Sequence, residues 1–173
     1  MNSFLLFVSK WRILLLLFLL FLMTNFLMSA FMPKEHALDL KFGYSVEEAY
    51  EALGRLDADE REGYHFGILT LDMPYLVIYF LLFSGILVKI WKKKQVVFIP
   101  FLIMVFDFLE NISVLSMLRL FPERNEPVAV FASIFTTSKW VMIGILAVFI
   151  ILGLILHFFK RSKAESVSAE QKN

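Results

Sequence analysis

Four apolar stretches, each long enough to cross a bilayer, leave this chain few ways to fold. A spanning helix needs about 20 mainly apolar residues to cross a hydrocarbon core ~30 Å thick. The first stretch runs from about Ile13 to Met32 and the second from about Met73 to Trp91. The third runs from about Val96 to Phe121, and the fourth from about Val130 to Phe159. The last two exceed the minimum, which allows tilt or helix beyond the bilayer. Composition points the same way: 59% of the 173 residues are hydrophobic, twenty are Phe, and mean hydropathy is +0.72. That exceeds the apolar share of a soluble domain. The segments leave room for a single domain.

Charge and cysteine content exclude several functions. The net charge of +1 gives no reason to invoke nucleic acid. The absence of Cys removes disulfides, thiolate catalysis and Cys-based metal sites together.

Lys and Arg placement sets the expected orientation. Lys10 and Arg12 precede span one, Lys92, Lys93 and Lys94 join spans two and three, and Lys160, Arg161 and Lys163 follow span four. With four spans all three groups fall on one side, which the positive-inside rule makes cytoplasmic. Both termini are then inside. Trp11, Trp91 and Tyr75 sit near span ends, where amphipathic rings prefer the interface. The first span is too long for the apolar core of a signal peptide, and Met28-Ser29-Ala30 is a poor cleavage site, so it reads as an uncleaved anchor.

The segment 33–71 is patterned, not a bare connector. Ser45-Val46-Glu47-Glu48 has the form of a capping box, in which Ser45 accepts from the Glu48 N–H and Glu48 reaches back. Val46, Ala49, Tyr50, Leu53 and Leu56 then recur at helical spacing. The segment is expected to form an amphipathic helix that buries this stripe on the outer mouth of the bundle. Glu47, Glu48, Asp57, Asp59, Glu60 and Glu62 make the rest acidic. His36 and His65 lie in the same segment, but no metal-ligand spacing accompanies them. The loop from Pro122 to Pro127 is short and polar, and the residues from 160 to 173 read as a disordered polar tail.

The informative residues are those that do not belong in lipid. Span three carries Asp107, Glu110 and Asn111, and span four carries Lys139. An ionisable side chain near the bilayer centre costs roughly 2.5–3.5 kcal/mol on insertion scales, so it normally faces the bundle interior and has a partner. Asp107, Glu110 and Asn111 stand at i, i+3 and i+4 and so share a helix face. Glu110 and Lys139 each lie about nine residues from the outer ends of their spans, which at ~1.5 Å per residue is roughly 13 Å deep. Antiparallel neighbours would bring them side by side. The same arithmetic places Asn25 and Tyr79 near that level, with Asp72 at the mouth above. Asp72, beside Pro74, reads most simply as the N-cap of span two. Thr24, Ser29, Ser113, Ser116 and Ser138 read as bonded to their own helix backbones. Asn111-Ile112-Ser113 matches the glycosylation sequon but lies inside a span. The pair Glu110–Lys139 on its own could serve only to fix helix register. What argues for more is the surplus: two carboxyls face one ammonium, so one must be protonated, hydrated or neutralised by something bound.

No metalloprotease, desaturase or phosphate-loop signature is present. Ser138 and Lys139 are adjacent on a helix and point in different directions, which disfavours a Ser–Lys nucleophile. The sequence therefore predicts an all-α integral membrane protein, an antiparallel four-helix transmembrane bundle with a helical extracytoplasmic cap between spans one and two. Its expected function is binding of a small or lipid-like ligand from the outer side, at a site made of Glu110, Lys139, Asp107, Asn111, Asn25, Tyr79 and Asp72. Glu110 and Asp107 are the candidate catalytic acids, and acid/base work is the chemistry a surplus carboxyl suggests. No cofactor or metal is expected. The rival readings are an accessory subunit whose charges specify helix packing and a small transporter or proton relay working as an oligomer. Polar residues are scarce on the cytoplasmic side of the layer, which disfavours through-transport. The bilayer is the first partner, with a homo-oligomer or another membrane protein as a second, and the compact cysteine-free design suits a bacterial inner membrane. Reporter fusions after Lys94 and Lys163 are expected to read cytoplasmic and one near Asp59 external. An external reading at Lys94 would overturn this topology.

Overall fold

A computed structural model describes residues 3–32, 38 and 41–170, with the side chains of 158 and 160–170 outside the description. His36 and most of the chain entering the cap lie outside the described residues as well. Among the described residues there is no strand. The elements are α1 (Ser3–Val8), α2 (Trp11–Phe31), α3 (Val46–Arg55), α4 (Ala58–Gly67), a π-turn (Ile68–Asp72), α5 (Met73–Trp91), a 3₁₀ turn (Gln95–Val97), α6 (Phe98–Leu120) and α7 (Glu126–Glu170). Four helical rods are long and apolar enough to cross a membrane: Trp11–Phe31, Ala58–Trp91, Gln95–Leu120 and Glu126–His157. Helices satisfy their own backbone groups, which lipid cannot do for them. The chain is a multi-pass membrane protein. The backbone of α7 stays helical to Glu170, past the residue taken from the sequence as the end of span four.

The two rods in the middle show how local sequence sets the path. The Ser45–Glu48 capping box forms as expected, with Glu48 N–H 3.2 Å from Ser45 Oγ and Ser45 N–H 2.7 Å from Glu48 Oε2. A second box, Asp57 with Glu60, opens α4 in the same way. The hydrogen bonds from the Ser45 backbone and hydroxyl hold the Glu48 carboxyl below its usual range. A lowered folded-state value means that this contribution is present above the ordinary carboxylate range and is lost as pH falls through the lowered one. Between the helices, Arg61 donates to the carbonyls of Leu53 and Leu56, which satisfies the end of α3, and lies 4.5 Å over the Phe121 ring.

α4 does not stop before the second span. The π-turn carries it into α5 with the Met73 N–H bonded to the Ile68 carbonyl, so Asp72 sits inside a continuous rod. The reading of Asp72 as an N-cap is corrected here: its side chain makes no cap hydrogen bond, because the preceding turn runs on into α5 and already pairs the Met73 N–H.

The cap packs onto the ends of α6 and α7. Ala49, Tyr50, Leu53 and Leu56 are buried with Met117 and Ala132, while Val46 is only half-buried. Tyr50 Oη accepts from the Asn125 N–H at 2.6 Å, and Tyr44 N–H donates to Ser133 Oγ at 3.0 Å. Gly43 permits this approach, since a Cβ there would lie 2.8 Å from Thr137 Oγ1. Among the spans, α6 and α7 share the most extensive interface, α5 packs on α6, and α2 packs on α5. At the far end α5 and α7 close tightly: a Cβ on Gly153 would lie 2.4 Å from Ile90, and Trp91 Nε1 donates to the Phe149 carbonyl at 3.2 Å.

Leu53 is fully buried in the cap core. Leu53→Asp is expected to exceed the ~2–5 kcal/mol of a simple truncation, because it also buries a charge. Limited proteolysis should cut the α3–α4 segment faster in the variant. Unchanged cleavage would show that the stripe contributes nothing.

Candidate functional site

The site is built from helical stripes that meet at one level. On α6, Asp107, Glu110 and Asn111 are all buried, as their shared face requires. On α7, Lys139 is 6% exposed and faces them. Its Nζ lies 3.0 Å from Asp107 Oδ1 and 2.7 Å from Glu110 Oε2. One ammonium is therefore held between two carboxyls, and the depth match of Glu110 and Lys139 is seen as direct contact. Tyr79 on α5 donates its hydroxyl to Asp107 Oδ2 at 3.0 Å, so both oxygens of Asp107 are engaged. The helix hydroxyls behave locally: Thr24, Ser113, Ser116, Thr136 and Ser138 each donate to the carbonyl four residues earlier.

Beside this cluster is a cavity of about 290 Å³. Its charged and polar lining is Asn25, Asp72, Tyr75, Tyr79, Asp107 and Lys139, and the rest is apolar or aromatic, including Phe21, Phe83, Trp140 and Ile143. Every spanning helix contributes a stripe at helical spacing: Phe21, Asn25 and Met28 from the first rod, Asp72, Tyr75, Tyr79 and Phe83 from the second, Ile103 and Asp107 from the third, Lys139, Ile143 and Leu146 from the fourth. The π-turn positions Asp72 at the head of its stripe, 4% exposed. Such turns recur at functional sites because they re-aim side chains within a helix.

The sequence-derived set divides in two. Asp72, Asp107, Lys139, Tyr79 and Asn25 come together around the cavity. Glu110 is fully buried and does not line the cavity, but its carboxyl meets Lys139, which does. Asn111 lies 2% exposed on the same face without lining the cavity, and its Nδ2 has no hydrogen-bond partner among the described residues. Tyr75 was missed as a site residue and taken for an interfacial ring. Its hydroxyl instead accepts from Asn25 Nδ2 at 2.8 Å, and its ring meets those of Phe21 and Tyr79 at 5.4 and 5.2 Å between centroids. The spacing of Asp72, Tyr75 and Tyr79 (i, i+3, i+7) carried that signal. Among the described residues no group of three or more His, Asp or Glu side chains is placed to hold a metal ion.

Chemically, the arrangement offers two carboxyls to the cavity, Asp72 and Asp107, with one ammonium and two phenols. No family model, curated protein or solved structure matches the chain, so the geometry alone carries the functional argument.

Because Lys139 serves two acids, the single variants are expected to be unequal. Lys139→Met strands two buried carboxyls and should cost about 3–5 kcal/mol of stability, whereas Glu110→Leu leaves the Asp107 partner and should cost less. The double variant should be less damaged than the sum of the two, with a coupling energy above ~1 kcal/mol in a double-mutant cycle. Additive effects would mean that the two side chains do not interact.

Proposed function

We propose that the cavity is the functional centre of the protein and binds a small or lipid-like ligand from the outer half of the bilayer. The observation that carries this reading is the cavity itself, bounded by all four spanning rods and lined by Asp72, Asp107, Lys139, Tyr75, Tyr79 and Asn25. A concave, mainly apolar space with a few convergent polar groups is the usual form of a ligand site, and 290 Å³ stands at the small end of the range. A purely structural charge cluster would instead be packed solid, since each void forfeits contacts.

The reading takes the rods as an antiparallel bundle with the cap outside and both termini in the cytoplasm. The Lys and Arg groups at 10–12, 92–94 and 160–163 support that orientation. The cap then lies above the polar layer and Trp91 marks the inner end. In this arrangement Glu110 orients Lys139, Lys139 and Tyr79 fix Asp107, and Asp72 and Asp107 meet the ligand. Any proton transfer to the ligand runs through one of those two carboxyls, which reach the cavity where Glu110 does not. The accessory-subunit reading accounts for Glu110 and Asn111, which are buried away from the cavity. It leaves the converging stripe of Asp72, Tyr75 and Asn25 without a purpose.

Ile143→Trp is expected to fill the cavity without touching a charge. Native mass spectrometry of protein extracted from its own membrane should find a small molecule bound one-to-one to the wild type and lost from the variant. Equal occupancy of both, or none on either, would overturn the reading.

A further inference from the structure

The hydrogen bonds already made around the cavity define what an occupant must complete, taking the cavity as the ligand site proposed above. Its charged lining is engaged within the chain. Lys139 lies between Asp107 and Glu110, and Tyr79 donates to the second oxygen of Asp107. Asp72 and Trp140 have partners as well. An ionised headgroup would compete with those interactions, which low dielectric strengthens.

The neutral pair on the same lining is different. Asn25 Nδ2 lies 2.8 Å from the Phe21 carbonyl and 2.8 Å from Tyr75 Oη. A carbonyl only accepts, so the nitrogen end of the Asn25 amide must face it, and both amide protons are then used. Tyr75 Oη accepts one of them, which leaves the phenol proton without an acceptor among the described residues. Asn25 Oδ1 likewise has no donor among them. One proton to give and one oxygen to receive therefore belong to neighbouring side chains of the cavity lining. Both side chains stand on spanning rods, where lipid cannot complete them. Size sets the rest. A volume of about 290 Å³, at ~30 Å³ for each water-sized group, takes about ten non-hydrogen atoms. Most of the remaining wall is apolar, with Phe21 packed edge-on against Phe83 at 5.9 Å between centroids.

We infer that the occupant is a small uncharged amphiphile whose polar end both accepts and donates a hydrogen bond, as a secondary carboxamide does. Its carbonyl takes the Tyr75 proton and its N–H gives to Asn25 Oδ1. Asp72, three residues before Tyr75, borders that headgroup, and the hydrocarbon lies among Phe21, Phe83 and Ile143. Size-matched probes test this by thermal unfolding of the intact protein in dodecyl maltoside micelles at neutral pH. N-methyloctanamide is expected to raise the wild-type midpoint saturably, as a ligand that binds only the folded state must. Ile143→Trp should abolish that response. N,N-dimethyloctanamide, which lacks the N–H, should need a half-saturating concentration at least about tenfold higher. Octylamine and octanoate should give no response over the same range. Tyr75→Phe keeps the ring and should weaken N-methyloctanamide by about tenfold. Asn25→Leu should make the two amides equal, because the group that reads the N–H is gone. The wild-type series decides the matter even if Asn25→Leu does not fold. Equal responses to the two amides, both lost in Ile143→Trp, would overturn the donating and accepting headgroup and leave the cavity standing as a ligand site. A stronger response to octylamine or octanoate than to N-methyloctanamide would do the same. No response to any probe would overturn the headgroup too, and the occupancy measurement on Ile143→Trp then judges the cavity separately. Tenfold discrimination that persists in Asn25→Leu, or an N-methyloctanamide response that survives Ile143→Trp, would place the binding elsewhere and overturn the inference.

Discussion

The buried ammonium of Lys139, held between Asp107 and Glu110, is the interaction on which the rest of this structure depends. An isolated charge at that depth is costly in hydrocarbon, and neither acid nor base would be tolerated alone. Placing them on neighbouring helices turns a liability into a register lock. With Nζ within 3.0 Å of both carboxyls, α6 and α7 cannot slide by a turn without stranding ions in lipid. This explains why the most extensive helix interface in the protein is also the one that carries its charges. Tyr79 extends the lock to α5 through Asp107, so three of the four spanning rods are tied at one level. α2 bonds to α5 through Asn25 and Tyr75 and packs on it through Leu14, Leu17 and Phe21, so its contacts with the bundle lie chiefly on the α5 side.

That hierarchy leaves the cavity where it is. The three locked rods form one wall, and α2, packed on α5, supplies the remaining side. The π-turn contributes in the same direction, because it lets α4 and α5 run on as one rod while Asp72 faces inward. The cap, anchored by Tyr50 to the 121–125 connection and by Tyr44 to Ser133, packs against α6 and α7 where the two helices join. Rigid support around a partly open pocket is the usual condition for positioning polar groups against a ligand.

Much of this was legible in the residues, for identifiable reasons. The spans are long apolar runs, and lipid leaves a helix as the only outcome, so tertiary context could not override them. The Ser45–Glu48 box rests on contacts three residues apart, and it formed. The Glu110–Lys139 contact followed from depth alone, since both residues must sit at equal distances from the ends of adjacent helices. Where reading failed, a non-local or rare feature intervened. Asp72 looked like an N-cap because Pro74 marks a first turn, yet a π-turn joins the rods and no composition rule announces one. Tyr75 was assigned by its nearness to a span end, a one-dimensional criterion that ignores which face it occupies. Glu110 was read with Lys139 as the charged centre and Asp107 as the second acid on the same face. Only packing shows that one reaches the cavity and the other lies behind the lysine.

The closed end of the bundle bears on what kind of protein this is. Beyond the polar layer the core is Leu87, Val88, Val96 and Leu146, with Gly153 letting α7 press against Ile90 and Trp91. The Trp91 N–H is itself satisfied by the Phe149 carbonyl, and the packing at that end is mainly apolar among the described residues. A relay needs donors and acceptors at intervals that a water or a side-chain rotation can bridge, and among the described residues Ser84 is the buried hydroxyl on α5 between Tyr79 and Leu87. Under the proposed reading, a pocket with polar groups at one level and apolar packing beneath would exchange its occupant with the membrane instead of passing it through. That asymmetry suits the proposed site for a lipid-like ligand, because a headgroup needs a polar station and a tail needs apolar surroundings at the same depth.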